Sequence, residues 1–126
     1  MAAPLVLALV PDLMFASRIE GTLQQLGYRV VVVKDAAALQ VTARGDGPAL
    51  VLVDLAARGV DVPAAIAALK ADAATRALPV VAFGPHLDET AREAAATAGA
   101  DAVVANSKLA LDLPRIVGRY AAADGG

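Results

Sequence analysis

PALVLVDLAARGVD, residues 48–61, decides how this chain folds. An apolar run from Ala49 to Val53 stops abruptly on an acid, Asp54, and a turn containing Arg58 and Gly59 follows. A second acid, Asp61, then precedes a helical pattern. Apolar runs of this length, rich in β-branched residues and lacking alternation, mark strands covered on both faces. Such a strand ends on a carboxylate for one of two reasons. The acid is a reactive group at the mouth of a sheet, or it holds the amides of the loop that follows.

The same pattern recurs. LVLALV (5–10), YRVVVV (28–33), PVVAF (79–83) and DAVVA (101–105) join ALVLVD (49–54) as five predicted strands. Helical periodicity fills the intervals. Residues 13–26 bring Phe15, Ile19, Leu23 and Leu26 to one face, with Gly27 as a stop. A short helix covers 36–44, ending near Gly45. Residues 62–72 align Val62, Ile66 and Leu69, with Pro63 tolerated in the first turn. A helix over 87–98 runs from Leu87 through an alanine stripe to Gly99. The last, over 112–122, aligns Leu113, Ile116, Val117 and Tyr120. Five alternating strand–helix units predict an α/β, doubly wound (βα)5 domain with a parallel sheet. The flavodoxin-like order 2-1-3-4-5 suits this length, and it puts the site beyond the carboxyl ends of strands 1 and 3. One domain is expected over 1–122, with 123–126 as a frayed tail.

Composition narrows the function classes. The 126 residues contain no cysteine, so thiolate metal sites and cysteine nucleophiles are excluded. Net charge is −2 and aromatics make up only 3%. With neither a basic face nor stacking platforms, no nucleic-acid partner is expected. The apolar start lacks a basic flank and breaks at Pro11-Asp12, so neither a signal peptide nor a membrane span is expected. The lack of cysteine fits a reducing compartment, and a cytoplasmic location is expected.

The ordered motifs LGYRVVVV, ALVLVDLAARGVD, IAALKADAATRALPVVAF (66–83) and AREAAATAGAD (91–101) resemble the receiver domains of two-component response regulators. The resemblance spans nearly the whole chain. It implies that Asp54 is the phosphoacceptor and that its site holds Mg²⁺ through an acidic pair after strand 1. It also implies a Ser/Thr after strand 4 and a Lys after strand 5 to bind the phosphoryl oxygens. At those positions this chain has Val10 and Pro11, Gly84, and Asn106-Ser107. Asp12 comes one residue late. The reading is therefore a degenerate, pseudo-receiver module that is not an enzyme and works by docking to protein partners. In the family the docking face is helix 4, strand 5 and helix 5, here decorated by Arg115, Arg119 and Tyr120; it would also serve a homodimer. No cofactor is expected, and Mg²⁺ only if Asp54 is active.

Other near-site residues carry two readings each. Asp12 is either a helix N-cap, its side chain turned from the site by the one-residue slip, or a displaced metal ligand. Arg58 either reaches back to neutralise Asp54 or is a solvated loop charge. Lys108 stands in for the missing Lys only if the fifth strand runs that far. In FGPH (83–86), Phe83 reads as core, Gly84 as part of a turn, and His86, the sole histidine, as a loop residue on the rim. Two other functions remain open: a receiver still phosphorylated on Asp54, and a small-ligand flavodoxin-like module. The second lacks a Ser/Thr/Gly-rich loop after strand 1 for a flavin phosphate.

Overall fold

The computed structural model describes residues 3–85 and 89–121. Five strands, β1 (Leu5–Leu9), β2 (Arg29–Val33), β3 (Leu50–Asp54), β4 (Val80–Gly84) and β5 (Ala102–Ala105), alternate with five helices. The helices are α1 (Leu13–Gln25), α2 (Ala36–Asp46), α3 (Val62–Ala71), α4 (Glu89–Ala98) and α5 (Asn106–Tyr120). All strand pairs are parallel, in the order β2-β1-β3-β4-β5. The expected topology is the observed one.

Two cores explain why the strands read as unbroken apolar runs. Side chains alternate across a strand, so each strand feeds both faces of the sheet. Val6, Ala8, Leu50, Leu52, Val81 and Phe83 pack with Ile19 and Leu23 of α1 and Leu109, Leu113 and Val117 of α5. Leu7, Leu9, Val51, Val53, Val80 and Ala82 pack on the other face with Leu39 of α2, Ile66 and Leu69 of α3 and Ala95 of α4. No position on the three central strands faces solvent, so polarity is displaced to the strand ends.

Acids start three of the helices. Asp12, Asp35 and Asp61 accept hydrogen bonds from the N–H groups of Phe15, Ala38 and Ala64 at 2.9, 2.8 and 3.1 Å. At the opposite end of the sheet, Asp101 ties β4 to the turn before β5. Its Oδ2 accepts from Val80 N–H at 2.7 Å and from the Lys70 ammonium at 3.1 Å. The Lys70 stem lies against Gly99, where an added Cβ would sit 2.7 Å from Lys70 Cγ.

The differences from the sequence reading that change the account fall at α2 and α5. Helix α2 runs through Gly45 and stops at Gly47, which takes the left-handed conformation with φ 58°. Helix α5 begins at Asn106, six residues before the expected start at 112, because Leu109 extends the buried stripe of Leu113 and Val117 by one turn. Pro114 therefore lies inside the helix, on an exposed side, where it forfeits the bond to the carbonyl of residue 110. The expected helix at 87–98 is observed from Glu89; Leu87 lies outside the described residues.

Gly21 and Gly118 sit inside α1 and α5, and a Cβ on either meets nothing within 4 Å. Gly21→Ala and Gly118→Ala should each stabilise the fold by about 0.5–1 kcal/mol in urea unfolding. Gly99 has φ +117° as well as the Lys70 contact. Gly99→Ala should lose more than about 1 kcal/mol. An unchanged midpoint for Gly99→Ala would contradict the packing described.

Candidate functional site

The cleft at the carboxyl ends of β1 and β3 has a volume of about 440 Å³. Its wall is made by Pro11 and Asp12 after β1, Phe15 of α1, Asp54, the loop residues Ala56 to Arg58, Pro85 after β4, and Asn106 at the start of α5. This is the switch point of the strand order, since β1 and β3 are neighbours whose following helices lie on opposite faces.

Strand parity places Asp54 on the face covered by α1 and α5. Leu50 and Leu52 point there, and Asp54 is next in the same row. It pairs in register with Phe83, whose ring Phe15 meets edge-on with centroids 5.5 Å apart at 74°. Such edge contacts are worth about 0.5–1.5 kcal/mol beyond the area they bury. Asp54 thus ends its strand beside an aromatic pair and is 8% exposed. Its Oδ1 accepts from Ala56 N–H at 2.8 Å, and its carbonyl accepts from Ala57 N–H at 3.1 Å. The bland role read from the sequence, holding loop amides, is one that Asp54 does perform. Its second carboxylate oxygen accepts nothing among the described residues.

Burial raises the Asp54 carboxyl above its usual pKa of 3.8. The bond from Ala56 works the other way, and the charge of Asp12 adds to the rise. Asp12 therefore does two things. It caps α1, as the spacing suggested, and it also lines the cleft close enough for its charge to reach Asp54. The expectation that its side chain turns away is corrected: a cap bond needs one oxygen, and the N-terminus of α1 opens onto the cleft.

The other candidates separate clearly. Arg58 is exposed on the cleft wall and makes no ion pair among the described residues. Asn106 lines the cleft, and its Oδ1 is buried without a hydrogen-bond partner. Gly84 ends β4 opposite Ala105 and brings no side chain. Lys108 is not at the cleft. Strand β5 stops at Ala105, so the condition for Lys108 to stand in fails; it lies on α5, 3.5 Å from Asp112. It borders a separate hollow of about 240 Å³ with Arg115, Arg119 and Tyr120. His86 lies outside the described residues. Phe15 and Pro85 were missed as cleft residues. The signal for Phe15 was available, because the third helical residue after a cap at Asp12 lies in the turn that borders the switch point.

No group of three or more His, Asp or Glu side chains among the described residues is arranged to hold a metal ion. Each acid in the cleft already has one oxygen bound to a backbone amide. No helix among the described residues is long and apolar enough to cross a membrane.

The chain has the receiver-domain fold. Its structure is similar to the receiver domain of a sensor histidine kinase from Pseudomonas aeruginosa, whose active-site cleft coordinates magnesium. The TM-score is 0.85 at 25% identity, covering 94% of this chain and 98% of that one. It is similar also to a chemotaxis response regulator of Vibrio cholerae, with TM-score 0.83, 15% identity, and 93% and 98% covered. A phosphorylated cyanobacterial phytochrome response regulator gives TM-score 0.84 at 19% identity, covering 96% of both chains. No protein-family model matches the sequence, and no curated protein matches it.

The raised Asp54 pKa means that the folded chain holds this proton more tightly than the unfolded chain. Its contribution to stability therefore falls as pH rises from about 3.8 through the folded value. Asp54→Asn keeps an acceptor for Ala56 N–H and removes the buried charge. The variant should be more stable than the parent near neutral pH, with the difference closing below about pH 3.8, measured by urea unfolding across pH. A variant less stable near neutrality would show that the charge is neutralised in the fold.

Proposed function

We propose that this chain is a receiver-type signalling module that acts by docking to a partner protein, with Asp54 at a degenerate phosphorylation site. The observation that carries the reading is the company Asp54 keeps. A carboxylate that accepts a phosphoryl group must meet an anion, so the transfer depends on cations and hydrogen-bond donors placed around it. Here a neutral amide, Asn106, stands in the cleft where the resemblance calls for an ammonium, and Gly84 offers no hydroxyl. Val10, at one of the two expected acidic positions, is fully buried in the core. The two acids that do reach the cleft each have one oxygen committed to a backbone amide, a poor start for octahedral Mg²⁺. The residues present do not fit a dedicated metal site.

The docking face in this reading is formed by α4, β5 and α5. Strand β5 is an edge strand, half-buried along its length, and α5 sets Arg115 and Arg119 beside it, with Arg119 5.6 Å from the Tyr120 ring centre. In receivers a strand 4 hydroxyl and a strand 5 aromatic link the phosphoryl site to that face; here Gly84 and Val104 or Ala105 stand at those positions and supply neither group. A cytoplasmic location goes with this role.

One observation favours a second reading, a receiver still phosphorylated on Asp54. Asp12 shares the cleft, so two carboxylates face one space. A single experiment separates the two. Incubated with acetyl phosphate and Mg²⁺, the protein should keep its intact mass. A stoichiometric phosphoryl adduct, lost in Asp54→Asn, would establish the phosphorylated receiver instead.

A further inference from the structure

We infer that the cleft beside Asp54 receives a basic side chain, an arginine or a lysine, from the docking partner. The inference rests on the docking reading and names what that partner brings to the cleft, which borders the docking face where α5 begins at Asn106.

Three acceptors meet in this cleft. Asp54 is nine-tenths buried, and its second carboxylate oxygen has no partner among the described residues. Asp12 lines the same space with a second negative charge. Asn106 adds a carbonyl oxygen that is buried and unpartnered. A buried acceptor without a donor is costly, as at the Asn106 oxygen, and two like charges facing one space repel. A cation carrying several N–H groups relieves both. The ammonium has three donors and the guanidinium five, set in a fork that matches a carboxylate.

The shape of the cleft favours a side chain over a bare ion. At about 440 Å³ it is far larger than one ion with a few waters, and Pro11 and Phe15 give it apolar wall. A methylene stem covers such a wall while its charged head reaches the acids. Arg58 is the local competitor. It is exposed, lines the cleft, and pairs with neither acid among the described residues. An incoming cation meets its repulsion at the rim and the two carboxylates within.

The test uses the 126-residue chain, labelled with nitrogen-15, and Nα-acetylarginine methylamide as the probe. Its neutral isostere, the corresponding citrulline compound, is the control. Arginine should produce saturable shifts at the Ala56 amide and the Asn106 side-chain amide, and citrulline should not. Asp54→Asn, whose dispersed spectrum shows that it folds, should weaken binding by about tenfold. Arg58→Ala should tighten it severalfold, and Mg²⁺ at equal concentration should not displace the probe. Equal shifts from citrulline, or none from arginine, would overturn the inference. Loss of binding in Arg58→Ala would do the same by showing that the probe is held through Arg58 and not through the acids, and displacement by Mg²⁺ by pointing to a metal. The docking reading fails separately, by the phosphoryl adduct; a chain with neither adduct nor arginine shifts loses only the inference drawn here.

Discussion

Burial of the sheet on both faces is the constraint that organises this molecule. β1, β3 and β4 expose no position to solvent, since α1 and α5 close one face and α2, α3 and α4 the other. A residue that needs water or a charged neighbour has no place along these strands and is moved to their ends. Asp54 is the last residue of its strand for that reason, and Asp12, Asp35 and Asp61 stand where helices begin and free N–H groups need acceptors. These four acids thus belong to one architecture, with three of them serving as caps.

Asp54 differs from the rest. The capping acids are exposed or nearly so, whereas Asp54 is buried beside the Phe15–Phe83 pair with one backbone amide for company. A carboxylate held in that way is poised above its ordinary pKa, and the nearness of Asp12 pushes it further the same way. The cleft thereby concentrates negative charge and acceptor oxygens. The chain has the receiver fold, and Asn106, Gly84, Val10 and Pro11 stand at or just beyond the strand ends near Asp54. Fold and site answer to different residues: the first to the stripes that fill the two cores, the second to a few positions at the strand ends.

Most of the fold could be read in advance because its determinants are repetitive. Each strand run was located to within one residue at either end, since β-branched residues buried on both sides leave no ambiguity of face. The start of α5 could not be read in the same way. Pro114 resembles a first-turn proline, and Asn106-Ser107-Lys108 resembles a loop, yet the buried contact of Leu109 carries the helix back to the end of β5. Packing overrode local preference there, and it took Lys108 out of the site. Asp12 illustrates the converse. Spacing identified the cap bond, but whether its charge also reached Asp54 depended on the angle at which α1 leaves the sheet, which no pattern of residue types encodes. The orphaned oxygen of Asn106 is likewise a property of three-dimensional neighbours.

The fold leaves the Asp54 charge without a neutralising partner among the described residues. Carbon-13 NMR of the side-chain carboxyl groups, followed against pH, measures it directly. Asp54 should titrate above the ordinary value of 3.8, and Asp12→Asn should bring its midpoint down. A midpoint at or below that value in the parent chain would mean that a cation or further hydrogen bonds already stabilise the carboxylate, and would contradict the account.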